Sequence, residues 1–359
     1  MVLKIGVFSW NIGKNIKSYK IKEIVTKIKI LNSPEILILG FQETPPEKIN
    51  KLVKLLKEEL EMYDIIEFKT TCVGYISYMS GFGICTFVFK KKNLNIKVKT
   101  LKSLSFCGRT GTKGFVASTI KIEKRLNNPK TAMKPKEKSI TIDLVNTHMP
   151  FKSFESSKEF EINLKIKLLD AKYHSENQIL FGDLNTRSLL TNDCYEKNIK
   201  KCKTDSKSNY CKLSKYLESL DYNNTTGNIN FNPDYFTKTK KKNKCFKINN
   251  NCSIRSSPTN DQDMIKLLIE RDVIGNPPFG CKLFNNFNEH PIKFFPTYKR
   301  NIKNGRFQLS KKSKGRLPGY ADRILYKTYK KSLKPKKYTS LNIKGSDHIP
   351  IYKLFDLKI

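Results

Sequence analysis

Five short polar clusters stand at the ends of apolar, strand-like runs. Asn11 follows Trp10, and Gln42-Glu43 follows Leu37–Gly40. Asn146-Thr147-His148 follows Thr141–Val145, and Asp183-Leu184-Asn185 follows Ile179–Phe181. Ser346-Asp347-His348 precedes Ile349-Pro350-Ile351. One Asn after a strand is ordinarily a turn residue. Five clusters, each joining an acid, an amide or a histidine to a buried run, point to side chains converging at one edge of a sheet sandwich. The set offers carboxylate and amide oxygens, two of the four histidines and no cysteine. Such hard oxygens suit Mg²⁺, which keeps several waters and is held by one or two carboxylates plus substrate phosphate. His148 and His348 suit proton handling or charge stabilisation at a phosphoryl centre. His174 and His290 read as ordinary surface or loop residues.

The runs that carry these clusters read as strands. Val2–Trp10 alternates, Ile36–Gly40 is a short apolar run, and further strands are expected at Asp64–Phe68, Gly74–Tyr78, Ile84–Lys90, Phe115–Ile122, Ser139–Thr147 and Gln178–Phe181. Helical spacing covers Ile21–Ile30, Glu47–Glu61 (after Pro45-Pro46) and Glu155–Ala171. Interleaved helices and strands with a strand-rich core define an α/β or α+β class. From about 188 to 260 the apolar periodicity weakens, and Lys238–Lys247 is a near-continuous basic run. This stretch is expected to be a Lys/Asn-rich, partly disordered insertion, with a short helix at Lys212–Leu220 and structure resuming near Met264–Glu270.

Composition bounds the partners. In 359 residues, 69 Lys+Arg against 32 Asp+Glu leave a net charge of +37, so an anionic partner is expected: nucleic acid, anionic membrane or polyphosphate. Hydrophobic residues at 38% are enough for a real core and exclude a wholly disordered basic chain. Only nine of the basic residues are Arg, so the arginines are the more selective markers. Nine Cys at irregular spacing, with no Cys-x-x-Cys, read as plain thiols of a reducing compartment. The first residues are too interrupted for a signal segment, and no apolar run approaches a spanning helix. The expectation is a cytoplasmic location, with peripheral membrane contact only.

In this order, the clusters resemble the endonuclease/exonuclease/phosphatase superfamily, which implies a DNase I-like four-layer sandwich: two mixed β-sheets flanked by helices, in one domain over 1–359. Two longer segments resemble its inositol polyphosphate 5-phosphatase branch. They are Pro296-Thr-Tyr-Lys299 and Lys314-Gly-Arg-Leu-Pro-Gly-Tyr-Ala-Asp-Arg-Ile-Leu325, with Gly182-Asp-Leu-Asn-Thr-Arg187 and Thr110-Gly-Thr-Lys-Gly-Phe115 beside them. Tyr320, Ala321, Thr186, Thr112 and Phe115 depart from that pattern and put pocket shape and substrate preference in question.

The resemblance implies roles. Glu43, assisted by Asn11, is expected to hold Mg²⁺. Asp183, beside Asn185, is expected to orient and deprotonate the attacking water. His348 is expected near the scissile phosphate with Asp322 fixing its tautomer, and His148 on a phosphate oxygen. Asp347 is either a supporting partner or a metal helper. Tyr298, Lys299, Lys314 and Arg316 correspond to a cradle for the neighbouring 4-phosphate, and Arg187 and Lys113 join the phosphate-binding set. The expected activity is Mg²⁺-dependent hydrolysis of the 5-phosphate of phosphoinositides or soluble inositol polyphosphates, by a monomer. A nuclease of the same superfamily is the alternative, although the cradle segments argue against nucleic acid. A non-catalytic module for anionic lipid or nucleic acid is a second alternative.

Overall fold

In the computed structural model, the described residues are 1–13, 18–31, 33–71, 82–107, 112–124, 139–150, 154–186, 284, 286–307 and 318–359. The expected insertion at 188–260, the strand at Gly74–Tyr78 and the segments Lys212–Leu220 and Met264–Glu270 lie outside them, as do Arg187, Lys314 and Arg316.

Strands β1 (Val2–Asn11), β2 (Ile36–Thr44), β3 (Tyr63–Thr70) and β4 (Gly83–Lys91) join two late strands, β10 (Leu333–Ser340) and β11 (Ile351–Lys358), in one sheet. Its order is β10-β11-β1-β2-β4-β3. The second sheet holds β5 (Ile96–Cys107), β6 (Gly114–Lys124), β7 (Ser139–His148), β8 (Asn177–Asp183) and β9 (Asp322–Lys327), in sequence order. Helices α1 (Ser18–Ile30) and α2 (Ile49–Glu59) follow β1 and β2, and α3 (Phe154–Asp170) links β7 to β8.

Alternation explains the layers. Ile5, Val7, Ile36 and Ile38 of the first sheet pack on Ile120, Ile142, Leu144, Ile179 and Phe181 of the second. On the first sheet's other face, Phe8, Leu37, Leu39 and Phe41 meet Ile24, Ile28, Leu52 and Leu56 of α1 and α2. Ala117, Val145 and Leu180 meet Leu164 of α3 on the second sheet's outer face. The result is the expected helix–sheet–sheet–helix sandwich. Fully burying each Ile, Leu or Phe is worth about 1.5–3 kcal/mol, so every strand facing both layers is strongly pinned.

Two parallel pairs set the site. β1 pairs β2, and β7 pairs β8, each across a helical crossover. Their carboxyl ends therefore share one edge of the sandwich, where Asn11 stands opposite Gln42 and His148 opposite Asp183. Antiparallel β9 brings its first residue, Asp322, opposite Asp183. β11, antiparallel to β1, starts just after His348 at the same edge. Every polar cluster of the sequence thus reaches one rim.

β5, like β10, is a strand the sequence did not announce. Lys97, Lys99 and Lys102 interrupt its apolar positions, which reads as a solvated stretch. It is the outer strand of its sheet, with a register shift between Thr100 and Lys102. Lysines and bulges are how edge strands resist further pairing.

Candidate active site

Asp183 is the centre of the rim. Gly182, at φ +130°, brings the β8 backbone so close to β7 that an added Cβ would lie 2.0 Å from the Thr147 carbonyl oxygen. Asp183 then accepts from the Asn185 backbone N–H at 2.8 Å and from Asn11 Nδ2 at 3.0 Å. Asn185 takes a left-handed φ of +52°, which asparagine tolerates, and its amide donates to the Met149 carbonyl at 2.8 Å.

Two histidines flank this carboxylate. His148 Nε2 lies 3.1 Å and His348 Nε2 3.7 Å from Asp183 Oδ2. His348 Nδ1 meets Asp322 Oδ2 at 2.8 Å, the base–orienter pair the resemblance implies. Glu43, also at positive φ, places Oε1 4.0 Å from His148 Nε2 and remains partly open to solvent. Lys113 Nζ contacts His148 Nε2. Asn11, Glu43, Lys113, His148, Asp183, Asn185, Asp322 and His348 are therefore brought together.

Burial disfavours charge here, and at Asp183 and His348 pairing reverses it. Burial alone would raise the Asp183 carboxyl; the neighbouring His348 and His148 outweigh it and hold the group well below the usual carboxylate range. For His348, burial pulls down, but Asp322 and Asp183 win and push the imidazole up to about 10. Burial pushes the Asp322 carboxyl up against the pull of His348. The consistent state is an ionised Asp183 facing a protonated His348 that Asp322 holds.

Further groups support the rim. Trp10 Nε1 donates to the His348 carbonyl at 3.0 Å. Ser346 Oγ donates to the Asn11 carbonyl at 2.6 Å and accepts from His348 N–H at 3.1 Å. The Tyr298 ring lies 4.5 Å from the His348 ring, centroid to centroid. Lys299, next in the chain, is half-buried, and the Arg300 N–H donates to the Asp347 carbonyl at 2.9 Å. Asp347 adds its negative charge to those raising His348. Arg323 points elsewhere: buried, it makes a two-pronged ion pair with Glu289.

The donor set fits a hard divalent cation. Among the described residues, ligand atoms of Asp183, Asp322 and His348 lie within 4.8 Å of one another. A protonated His348 cannot ligate, which leaves carboxylates, and Asp322 Oδ1 is buried without a hydrogen-bond partner. Glu43 offers a partly exposed carboxylate and Asp183 a buried one, while Asn11 donates its Nδ2 to Asp183 and accepts the Gly13 N–H on Oδ1 at 3.0 Å. Hard oxygens with no thiolate suit Mg²⁺ or Ca²⁺ better than a soft metal.

Fold and rim together define a DNase I-like sandwich with a buried His/Asp cluster at one edge. Residues 8–259 and 245–354 match the endonuclease/exonuclease/phosphatase family 2, and the chain belongs to that family. The phosphatidylinositol polyphosphate 5-phosphatase type IV of Mus musculus is 39% identical over 94 residues, covering 26% of this chain and 14% of that protein. The inositol-1,4,5-trisphosphate 5-phosphatase 1 of Schizosaccharomyces pombe is 37% identical over 98 residues, covering 27% of this chain and 9% of that protein. These matches span only a small part of the curated relatives' length. Among solved structures, the inositol polyphosphate 5-phosphatase domain of SpSynaptojanin, bound to inositol (1,4)-bisphosphate and a calcium ion, aligns with TM-score 0.60. It is 19% identical, over 99% of this chain and 84% of that one. A Cimex nitrophorin aligns with TM-score 0.56 and 15% identity over 100% and 99%. The same fold therefore serves a nitric-oxide complex too, and function must be argued from the rim.

Proposed function

We propose that the chain is a Mg²⁺-dependent inositol polyphosphate or phosphoinositide 5-phosphatase working by direct attack of water. The carrying observation is the His348–Asp322 pair set against the buried Asp183, with the Tyr298 ring beside His348. The resemblance to 5-phosphatases and the 5-phosphatase domain that shares the fold support the substrate class.

Phosphate-monoester hydrolysis needs an in-line nucleophile and compensation of charge on the phosphoryl oxygens. Asp183, held acidic by its neighbours, is a weak base. Its task is to accept the water's hydrogen bond, aim the oxygen, and take the proton as the P–O bond forms. The His348 cation faces the phosphoryl group and gives its proton to the departing inositol oxygen. Asp322 keeps that proton on Nε2. His148 and Lys113 are further donors to the phosphoryl oxygens. Mg²⁺, held by Glu43 and Asn11 with Asp183 close by, supplies Lewis-acid polarisation when bound. Tyr298 and Lys299, with Lys314 and Arg316, take the neighbouring 4-phosphate.

Peripheral membrane contact is part of this proposal and rests on the +37 charge. Lys327, Lys330, Lys331 and Lys334 are poorly placed for it. The β9–β10 turn that carries them lies at the end of the sheets away from His348, since Asp322 pairs with Asp183 while Lys327 pairs with Gln178. The reading is tested by phosphate release from a panel of inositol phosphates and phosphoinositide vesicles beside a plasmid-nicking assay. Turnover of 4,5-bisphosphates with Mg²⁺ and no nicking is expected. Nicking with no release would replace it with a nuclease.

A further inference from the structure

Two amides that the reaction does not use sit under the rim, and both are fully buried. Gln42 is the residue before Glu43, and Asn146 is two residues before His148. Gln42 Nε2 donates to Asn146 Oδ1 at 2.7 Å, and the bond crosses from the first sheet to the second. Each amide is tied down again on the first sheet. Gln42 Nε2 also reaches Ser9 Oγ on β1 at 3.2 Å. Asn146 Nδ2 donates to the Cys85 carbonyl at 2.9 Å and to Thr86 Oγ1 at 3.2 Å, both on β4.

The rest of the interface between the sheets is mainly apolar side chains, crossed by a few other polar bonds such as Asn11 Nδ2 to Asp183 Oδ2 at 3.0 Å and Lys353 Nζ to the Ile324 carbonyl at 2.9 Å. A buried amide–amide bond is directional, and breaking it strands polar atoms. Gly40 makes room for it: a Cβ there would lie 2.8 Å from Asn146 Nδ2 and 2.4 Å from the Phe181 ring. The consequence reaches the rim directly. Glu43 belongs to the first sheet and His148 and Asp183 to the second, so their spacing is the offset between the sheets.

We propose that Gln42 and Asn146 are positioning residues: their bond sets the offset between the sheets and thereby the gap between Glu43 and the His148–Asp183 pair, in which the metal and phosphate are held. This rests on the function proposed above. An error of about 1 Å in such a gap costs on the order of 10²-fold in rate.

The test separates position from stability. Gln42→Met/Asn146→Leu removes both ends of the bond together, so neither amide is left facing an apolar partner, although the ties to Ser9, Cys85 and Thr86 are lost with it. Calorimetric titration with Mg²⁺ alone should show about tenfold weaker binding in this pair. Turnover of inositol 1,4,5-trisphosphate should fall about 10²-fold in kcat, with KM changed much less. A folded double variant with wild-type Mg²⁺ affinity and kcat would overturn the proposal. If that variant does not fold, Ser9→Ala/Thr86→Ala loosens only the outer ties. A three- to tenfold loss of Mg²⁺ affinity supports the proposal, and no change overturns it. A wild-type protein that binds Mg²⁺ but does not hydrolyse the trisphosphate would defeat the functional reading, while the metal titration would still decide the positioning one.

Discussion

At the scale of single residues, the account rests on which protons are held where. Asp322 acts through His348, whose Nδ1 its Oδ2 meets at 2.8 Å. Asp322→Asn therefore keeps the shape but offers an amide that stabilises the imidazolium poorly and permits the other tautomer. Steady-state kinetics should show kcat down by roughly 10²–10⁴-fold with KM within a few-fold. Near-wild-type kcat would mean that His348 needs no orienter. Asp183, Glu43, His148 and His348 were legible in the sequence because each flanks an apolar run. Ser346, Trp10 and Thr297 were not legible as supports. Their bonds go to backbone atoms set by tertiary approach: the Asn11 carbonyl, the His348 carbonyl and the Asp322 N–H. A serine or threonine beside a motif carries no mark of such a partner.

At the scale of elements, the site depends on how closely strand ends approach. Gly182 combines a φ that L-residues rarely adopt with a backbone carbonyl where a side chain would begin. Gly182→Ala should destabilise the fold by about 3 kcal/mol or more, seen as a large drop in melting temperature. A melting temperature within a degree or two of wild type would show that β7 and β8 can part freely. The strands bearing the polar clusters were readable because both faces are buried, giving unbroken apolar runs such as Ile36–Gly40. Boundaries moved by a few residues: the helix expected over Glu47–Glu61 is a 3₁₀ turn at Pro46–Lys48 followed by α2. β5 escaped because an edge strand half exposed to water has the lysine alternation of a solvated segment. Which strands pair is not written in any one segment. The joining of β10 and β11 to β1 comes from long-range register.

At the scale of the whole molecule, charge divides into a surface majority and a few buried groups. Lys353 is fully buried, its Nζ donating to the Ile324 carbonyl at 2.9 Å and lying among the rings of Tyr326, Tyr338 and Phe355. Burial pulls its ammonium down to about 7, against Glu289, which pulls it up. The folded protein thus holds this proton more weakly than the unfolded chain. Lys353 destabilises fully at and below about pH 7, and the penalty fades as pH rises toward its ordinary value of 10.5. Lys353→Met should therefore be more stable than wild type near pH 7, with an advantage shrinking by up to about 1.4 kcal/mol per pH unit toward pH 10. Denaturant unfolding across that range measures it, and a pH-independent difference would refute the buried, depressed lysine. Composition alone pointed to an anionic partner but not to its identity, because most of the described lysines are at least partly exposed.

Removal of one phosphate from an inositol ring by water attack is what we propose for this rim. It is tested most directly by incubating the protein with inositol 1,4,5-trisphosphate and Mg²⁺ and resolving the product by ³¹P and ¹H NMR. The account predicts inositol 1,4-bisphosphate and one equivalent of phosphate, with no product in EDTA or in His348→Ala. Loss of the 1- or 4-phosphate instead, product formation undiminished by His348→Ala, or an unchanged trisphosphate would contradict it.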